Sequence, residues 1–468
     1  MVESRRILCA VRKVLLRVAG SWLVICVVAF AVRVTFVVDQ AHKVPAIALA
    51  TVPFQNEVGS IAAAVASGQG ICCLFREPTG PTAWLAPVYP LLIAAIFRIF
   101  GTFTVGSFYA AAVMNSLFSA LVCLPLHFIG KRIGGNLVGT TAAWVWAFFP
   151  SGILMPFEWI WDTSLSALLA TLLLWATLEL AESYSLHVAS LFGLLWGVAL
   201  LTNPALGVLL PLQIGWIFCK QRPVPRSLGI RQALLAIAVA GACCVPWTIR
   251  NVVQFHRWIP IRSNFAFELW LGNNEVFDDQ SREVNRITRY EQVRRYAQLG
   301  ESGFLDEKRQ QAETFMRRHP ALVLKLVGQK IVATWMGTET PWRDFRRTDS
   351  LLARFLFIWN LITVIGVIVG LTRLYWSRNL YVFPVATIPI FYPLIYYITH
   401  TTLRYRHPCD PVLALLLAAA LVGGWFKPPH AITACEAPGE RIVPPSRLRH
   451  IWFGTVFSED YGAMDGDS

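Results

Sequence analysis

The chain has 468 residues, of which 55% are hydrophobic and only 15% are charged. Soluble proteins carry about 25% charged residues, so a soluble globular fold is excluded and an integral membrane protein is indicated. The net charge of +13 does not point to nucleic acid. The arginines stand beside apolar segments and in one long polar stretch, where basic loops set orientation and meet anionic headgroups.

Arg5, Arg6, Arg12, Lys13 and Arg17 precede an apolar segment from about Val18 to Val38. It is too long for a signal-peptide core and lacks a convincing cleavage site, so it is expected to be a first span with the N-terminus in the cytoplasm. Arg33, near its far end, is expected to snorkel to the headgroups. Next comes "FQNEVGSIAAAVASGQG", residues 54–70. Asn56 can cap a helix, Glu57 then sits in its first turn and Gly68 can end it. That helix has roughly three turns, well short of the ~20 residues a span needs.

Further apolar runs lie near 84–101, 106–129, 136–152, 159–178, 188–202, 203–219, 232–249, 351–372, 380–399 and 409–426. Segment 84–101 carries Pro87, Pro90 and Arg98. The runs 188–202 and 203–219 meet at Asn203-Pro204 and would together make a helix of roughly 48 Å, so a tight hairpin is expected. With 84–101 in the interface, Lys131, Arg132, Lys220, Arg222, Arg226, Arg231, Arg373 and Arg378 fall in cytoplasmic loops, and only Arg404 and Arg406 in short outer ones. That matches the bias of cations toward the cytoplasm.

The expected plan is an all-α polytopic membrane protein with about ten spans. It comprises the N-terminus and first span (1–38), a first outer loop with interfacial helices (39–105), a transmembrane bundle (106–249), a large second outer loop (250–350), C-terminal spans (351–426) and a cytoplasmic tail (427–468). The ten cysteines show no CxxC spacing and are read as free thiols.

Each chemical candidate has a bland alternative. Glu57 is either a helix-start carboxylate, stabilising by under about 1 kcal/mol, or a general base at the membrane surface. In "LRYRHPCDPVL", 403–413, Asp410-Pro411 looks like the start of the last span. Arg404 and Arg406 would point the same way in an extended segment. They suit a phosphate, or they are ordinary snorkelling residues. Arg76, in "FREPTG", is a third phosphate candidate. Glu158 and Asp162, in "PFEWIWDTSL", are expected at the outer start of a span, where the helix dipole favours acids, although Asp162 can lie deep enough to need a partner. Asp39 marks a span boundary. The "DGD" at Asp465–Asp467 sits in a tail and is rejected as a metal motif, and no histidine spacing suggests a metal.

In their order along the chain, "NEVGSIAAAVASGQG", "GPTAWLAPVYPLLIAAIFRIFG", "GVALLTNPALGVLLP", "PWTIRNVVQFHRWIPIRSNFAFELWLGNN" and "RYRHPCDPVLALLLAA" resemble the landmarks of the GT-C glycosyltransferases. The similarity is to the bacterial family-39-like branch, related to protein O-mannosyltransferases and to the transferases that put aminoarabinose on lipid A. It covers about 35–430. It implies a GT-C-type fold and transfer of a sugar from a polyprenyl-phosphate donor to a glycan, lipid or protein acceptor. The implied location is the bacterial cytoplasmic membrane, with the active site facing the periplasm. The family's catalytic acidic position maps onto Glu57, with Arg76, Asp162, Arg404 and Arg406 as substrate-binding candidates. Asn56 stands where many members have Asp, and Gly59 and Ser60 stand where an aromatic residue is common. The acidic pair is thus reduced to one carboxylate, and no metal cofactor is expected. Alternatives are a catalytically inactive membrane scaffold or a polytopic transporter of a lipid or sugar, which would show mid-bilayer acidic or broken-helix sites and an internal repeat.

Overall fold

A computed structural model of the chain describes residues 20–75, 77–183, 185–220, 226–274, 290–338 and 340–422. The basic N-terminal stretch, Arg76, residues 275–289 and the tail 427–468 with its "DGD" lie outside the described residues. Among those described, the chain is helical without strands, and its extended pairing is an isolated antiparallel bridge between Cys72 and Pro81.

Helix α1 (Trp22–Ala41) leads through Pro45 to α2 (Ala46–Thr51), a 3-10 turn (Val52–Phe54) and α3 (Glu57–Ala66). Then come α4 (Val88–Phe100), α5 (Val105–Leu121), α6 (Cys123–Ala147), α7 (Pro150–Glu158), α8 (Thr163–Glu182), α9 (Leu186–Leu200), α10 (Leu209–Lys220) and α11 (Arg226–Phe255). The polar second half holds α12 (Phe265–Gly272), α13 (Tyr290–Arg318), α14 (Pro320–Met336) and α15 (Pro341–Arg347). The chain returns to apolar helices with α16 (Leu351–Trp376), α17 (Val382–Phe391), α18 (Leu394–Ile398), α19 (Leu403–Arg406) and α20 (Asp410–Val422).

Among the described residues, five segments are long and apolar enough to cross a membrane: Trp22–Ala41, Val105–Glu158, Thr163–Glu182, Ser227–Phe255 and Leu351–Trp376. The protein is therefore a multi-pass, all-α membrane protein. Other apolar runs form shorter helices, among them Leu186–Leu200, Pro204–Lys220 and Val382–Ile398. Pro204 starts the second of these, and Pro393 separates α17 from α18 in the third.

Residue chemistry fixes the ends that matter for function. The Asn56 side chain accepts the Gly59 amide at 2.9 Å and donates to the Pro53 carbonyl at 2.8 Å, which starts α3 beside the preceding turn. Gly68, just beyond α3, has φ +85. Helix α4 spans only about 20 Å and lies against α3, with the Phe54 and Phe97 rings 4.9 Å apart. Helix α20 is buried from Asp410 to Ala419. It packs on α16 closely enough that a Cβ at Gly370 would meet the Leu416 carbonyl oxygen at 2.3 Å.

Arg33 departs from expectation. It is fully buried instead of reaching the headgroups. Its guanidinium donates to Ser119 Oγ at 2.8 Å, and to the Trp146 and Ala147 carbonyls at 3.0 and 2.9 Å. Those two carbonyls end α6, at the negative end of the helix dipole. A cation held there has more to gain than one in the interface.

Arg33→Met should lower the melting temperature of the detergent-purified protein clearly, since hydrogen bonds to a charged group contribute about 1.5–3 kcal/mol each. Arg33→Lys should recover only part, because an ammonium lacks the planar fork. A Met variant melting with wild type would return Arg33 to the role of a surface anchor.

Candidate active site

Five stretches of the chain line one cavity of about 300 Å³. The start of α3 supplies Glu57, and the loop before α4 supplies Trp84. The segment between α7 and α8 adds Trp159, Trp161 and Asp162. The approach to α12 adds Arg262 and Glu268, and the stretch after α17 adds Tyr396, His400, Arg404 and Tyr405.

Two of these stretches are tied by one buried carboxylate. Glu301, on α13, accepts from Thr82 Oγ1, the Ala83 amide at 2.9 Å, Ser263 Oγ at 2.7 Å and Tyr296 Oη at 2.8 Å. Arg250 donates to the Thr82 and Ile71 carbonyls at 2.8 and 2.7 Å. The Ser263 amide donates to the Ala83 carbonyl at 2.9 Å. The loop carrying Trp84 and the segment carrying Arg262 are thereby held together, and Trp84 stacks obliquely on Phe267 at 5.1 Å.

Arg404 has its guanidinium 4.6, 4.3 and 4.9 Å from the ring centres of Trp159, Trp161 and Tyr405. Its Nη2 donates to Tyr405 Oη at 3.1 Å, and Tyr405 stacks on Tyr396 at 4.7 Å. The cation is fixed in place before any ligand arrives. Arg262 donates to Asn264 Oδ1 at 2.7 Å, and Asn264 Nδ2 donates to Glu268 Oε1 at 3.1 Å. Burial pushes the Glu57 carboxyl above the usual range, while a backbone hydrogen bond and the Arg404 and Arg262 charges oppose it. Glu268 is raised by burial too, with the Glu57 charge adding to the effect. Asp162 is likewise raised by burial, against the pull of Arg262 and Arg404.

Glu57, Asp162 and Arg404 thus share one cavity. Arg406 does not join them. Leu403–Arg406 is a helical turn, in which side chains two apart diverge by about 200°, instead of the extended segment expected. Arg406 is buried, with Nε on Asp410 Oδ1 at 2.9 Å, Nη1 on the Trp335 carbonyl at 2.8 Å and Nη2 on Asn360 Oδ1 at 3.0 Å. Glu158 is also placed differently: it ends α7 instead of starting a span. Asp162 directly precedes α8, with Ser166 Oγ 3.4 Å from its Oδ2. Arg76 lies outside the described residues. Sequence reasoning missed Arg262, Glu268 and Tyr405. The available signal was Asn264 ahead of "FAFELW", which reads as a helix start and would have put Glu268 one turn in. Among the described residues, no group of three or more His, Cys, Asp or Glu side chains is placed to hold a metal ion.

No family model matches the chain, and no curated protein matches it. Solved structures do. The archaeal oligosaccharyltransferase AglB from Archaeoglobus fulgidus, in complex with an inhibitory peptide and a dolichol-phosphate, is similar at 13% identity with a TM-score of 0.49, over 85% of this chain and 50% of that one. The apo form from the same organism gives 13% and 0.48 over 85% and 50%. The form tethered to an acceptor peptide containing the NVT sequon gives 14% and 0.48 over 85% and 49%. The chain spans about half the length of these structures.

The two arginines should separate on substitution. Arg406→Gln breaks a buried ion pair and should cost about 3–5 kcal/mol, seen as a large fall in melting temperature. Arg404→Gln loses ring contacts worth about 2 kcal/mol or less and should melt much closer to wild type. Equal losses in the two variants would make Arg404 a structural residue.

Proposed function

We propose that the protein is a GT-C-type membrane glycosyltransferase. It moves a sugar from a polyprenyl-phosphate donor to a glycan, lipid or protein acceptor at the periplasmic face of the bacterial cytoplasmic membrane. The observation that carries this reading is the meeting of Glu57 with two arginines, Arg404 and Arg262, in one aromatic-walled cavity. The ordered landmarks of the sequence support it independently.

Polyprenyl phosphate already departs well, so the reaction needs a base for the acceptor hydroxyl and fixed positive charge for the departing phosphate. The acceptor oxygen bonds to the anomeric carbon as its proton passes to Glu57. The bond from that carbon to the phosphate oxygen breaks, and its electron pair leaves with the phosphate toward Arg404 and Arg262. Attack in line with the leaving group inverts the anomeric centre. Trp161 and Tyr396 line the cavity where a sugar ring can pack, and Asp162 and Glu268 offer oxygens for its hydroxyls. The pre-stacked Arg404 gives up little freedom on binding, so its charge is available without reorganisation.

Glu57→Gln keeps shape and removes the base. Sugar transfer should fall by roughly 10²–10⁴-fold, while donor affinity and melting temperature stay near wild type. Equal transfer rates in side-by-side assays with labelled polyprenyl-phosphate sugars would remove Glu57 from the mechanism. Arg404→Gln should instead weaken donor binding.

The pH profile offers a second check. The base works only when deprotonated, and burial raises its carboxyl. Transfer should therefore decline with falling pH from a midpoint above the ordinary glutamate value of about 4.3. An acid limb at or below that value would contradict a buried carboxylate base.

A further inference from the structure

Asn264 begins a helix without capping it. Its backbone carbonyl accepts the Phe267 and Glu268 amides at 3.0 and 3.1 Å, which opens α12. An asparagine in this place ordinarily turns its side chain onto one of the first amides of the helix, but Asn264 makes no such bond. The residue is buried, and both polar ends of its side chain are used elsewhere. Oδ1 accepts from Arg262 Nε at 2.7 Å, and Nδ2 donates to Glu268 Oε1 at 3.1 Å.

The amide can serve both partners in one orientation only. Turned over, it would set its NH2 against a guanidinium, which has donors alone, and its oxygen against a carboxylate, which has acceptors alone. The connection continues past Glu268. Burial raises the Glu268 carboxyl, and the Arg262 and Arg404 charges and a hydrogen bond from Tyr405 oppose it. The same Tyr405 hydroxyl accepts from Arg404 Nη2 at 3.1 Å. One path of hydrogen bonds thus runs from Arg262 through Asn264, Glu268 and Tyr405 to Arg404. Its ends are the two arginines that line the cavity, and a carboxylate stands between them.

We infer that Asn264 is a positioning residue, which together with Tyr405 sets where Arg262 and Arg404 stand for the lipid-borne phosphate. The inference rests on reading the cavity as the site of a polyprenyl-phosphate donor. A phosphate met by two charges gains most when both are in place before it arrives. Asn264 acts through Arg262, so its part is placement and involves no proton or bond of the reaction.

The test measures binding of a short-chain polyprenyl phosphate to the full chain in detergent by calorimetry, below the melting transition of every variant. Asn264→Ala releases Arg262 and should weaken binding about tenfold, the effect of one charge-assisted hydrogen bond. Tyr405→Phe releases Arg404 from the same path and should have a similar effect. The double variant should lose far less than the product of the two, because a path that acts as one unit is broken by either change. Asn264→Asp keeps an acceptor for Arg262 but adds a negative charge beside Glu268 and near the phosphate, so it should bind more weakly than Asn264→Ala. Wild-type affinity in Asn264→Ala or Asn264→Asp would overturn the positioning role. So would fully multiplied losses in the double variant, or affinities that simply follow melting temperature across the set. A wild type that binds no polyprenyl phosphate would remove the donor reading itself, and the positioning role with it.

Discussion

The clasp around Glu301 is the constraint on which the candidate site depends. Glu57 and Trp84 belong to one segment, and Arg262 and Glu268 to another nearly two hundred positions away. Among the described residues, neither has a sheet or a disulfide to hold it. A buried carboxylate accepting four hydrogen bonds joins them at the point where each turns into the cavity. Arg250 anchors the neighbouring carbonyls from α11. A buried charge costs several kcal/mol unless its lone pairs are filled, so this joint has no half-made state of comparable stability. That makes it a registration device for the cavity.

The chain also shows how one residue type performs opposite tasks according to what surrounds it. Arg33 and Arg406 are buried cations engaged by backbone carbonyls, by Ser119 and Asn360 side chains and, for Arg406, by the Asp410 carboxylate. They stabilise the bundle and do not face the cavity. Arg404 is held mainly by the flat faces of three rings. Ring faces restrain a guanidinium while leaving most of its N–H edge able to donate. The distinction between a structural and a ligand-facing arginine thus comes from the identity of the neighbours.

Much of this was legible in the sequence. The all-α membrane plan follows from composition, and the α3 start follows from Asn56 beside Glu57, because a cap is a local signal. What was not legible depends on backbone shape or distant partners. The Arg404 and Arg406 pairing failed because a four-residue helical turn replaced an extended segment, and periodicity cannot decide so short a stretch. Glu158 was placed at the wrong end of a helix because "PFEWIWDTSL" contains both the end of α7 and the start of α8. Arg33 looked like a snorkelling residue because the end of α6 that receives it lies more than a hundred positions away. Arg262 and Glu268 gain meaning only from residues brought to them by the Glu301 joint.

Gly59 has a consequence for how this protein can change. A Cβ at that position would meet the Phe54 carbonyl oxygen at 2.1 Å, so helix and turn touch there backbone to backbone. Ser60, next along, is buried with its hydroxyl on the Asn56 carbonyl at 3.0 Å. No side chain can enter position 59 unless the turn moves, and moving it shifts the residue before Glu57. Position 59 is therefore closed to every residue but glycine for as long as the turn that places Glu57 stays where it is.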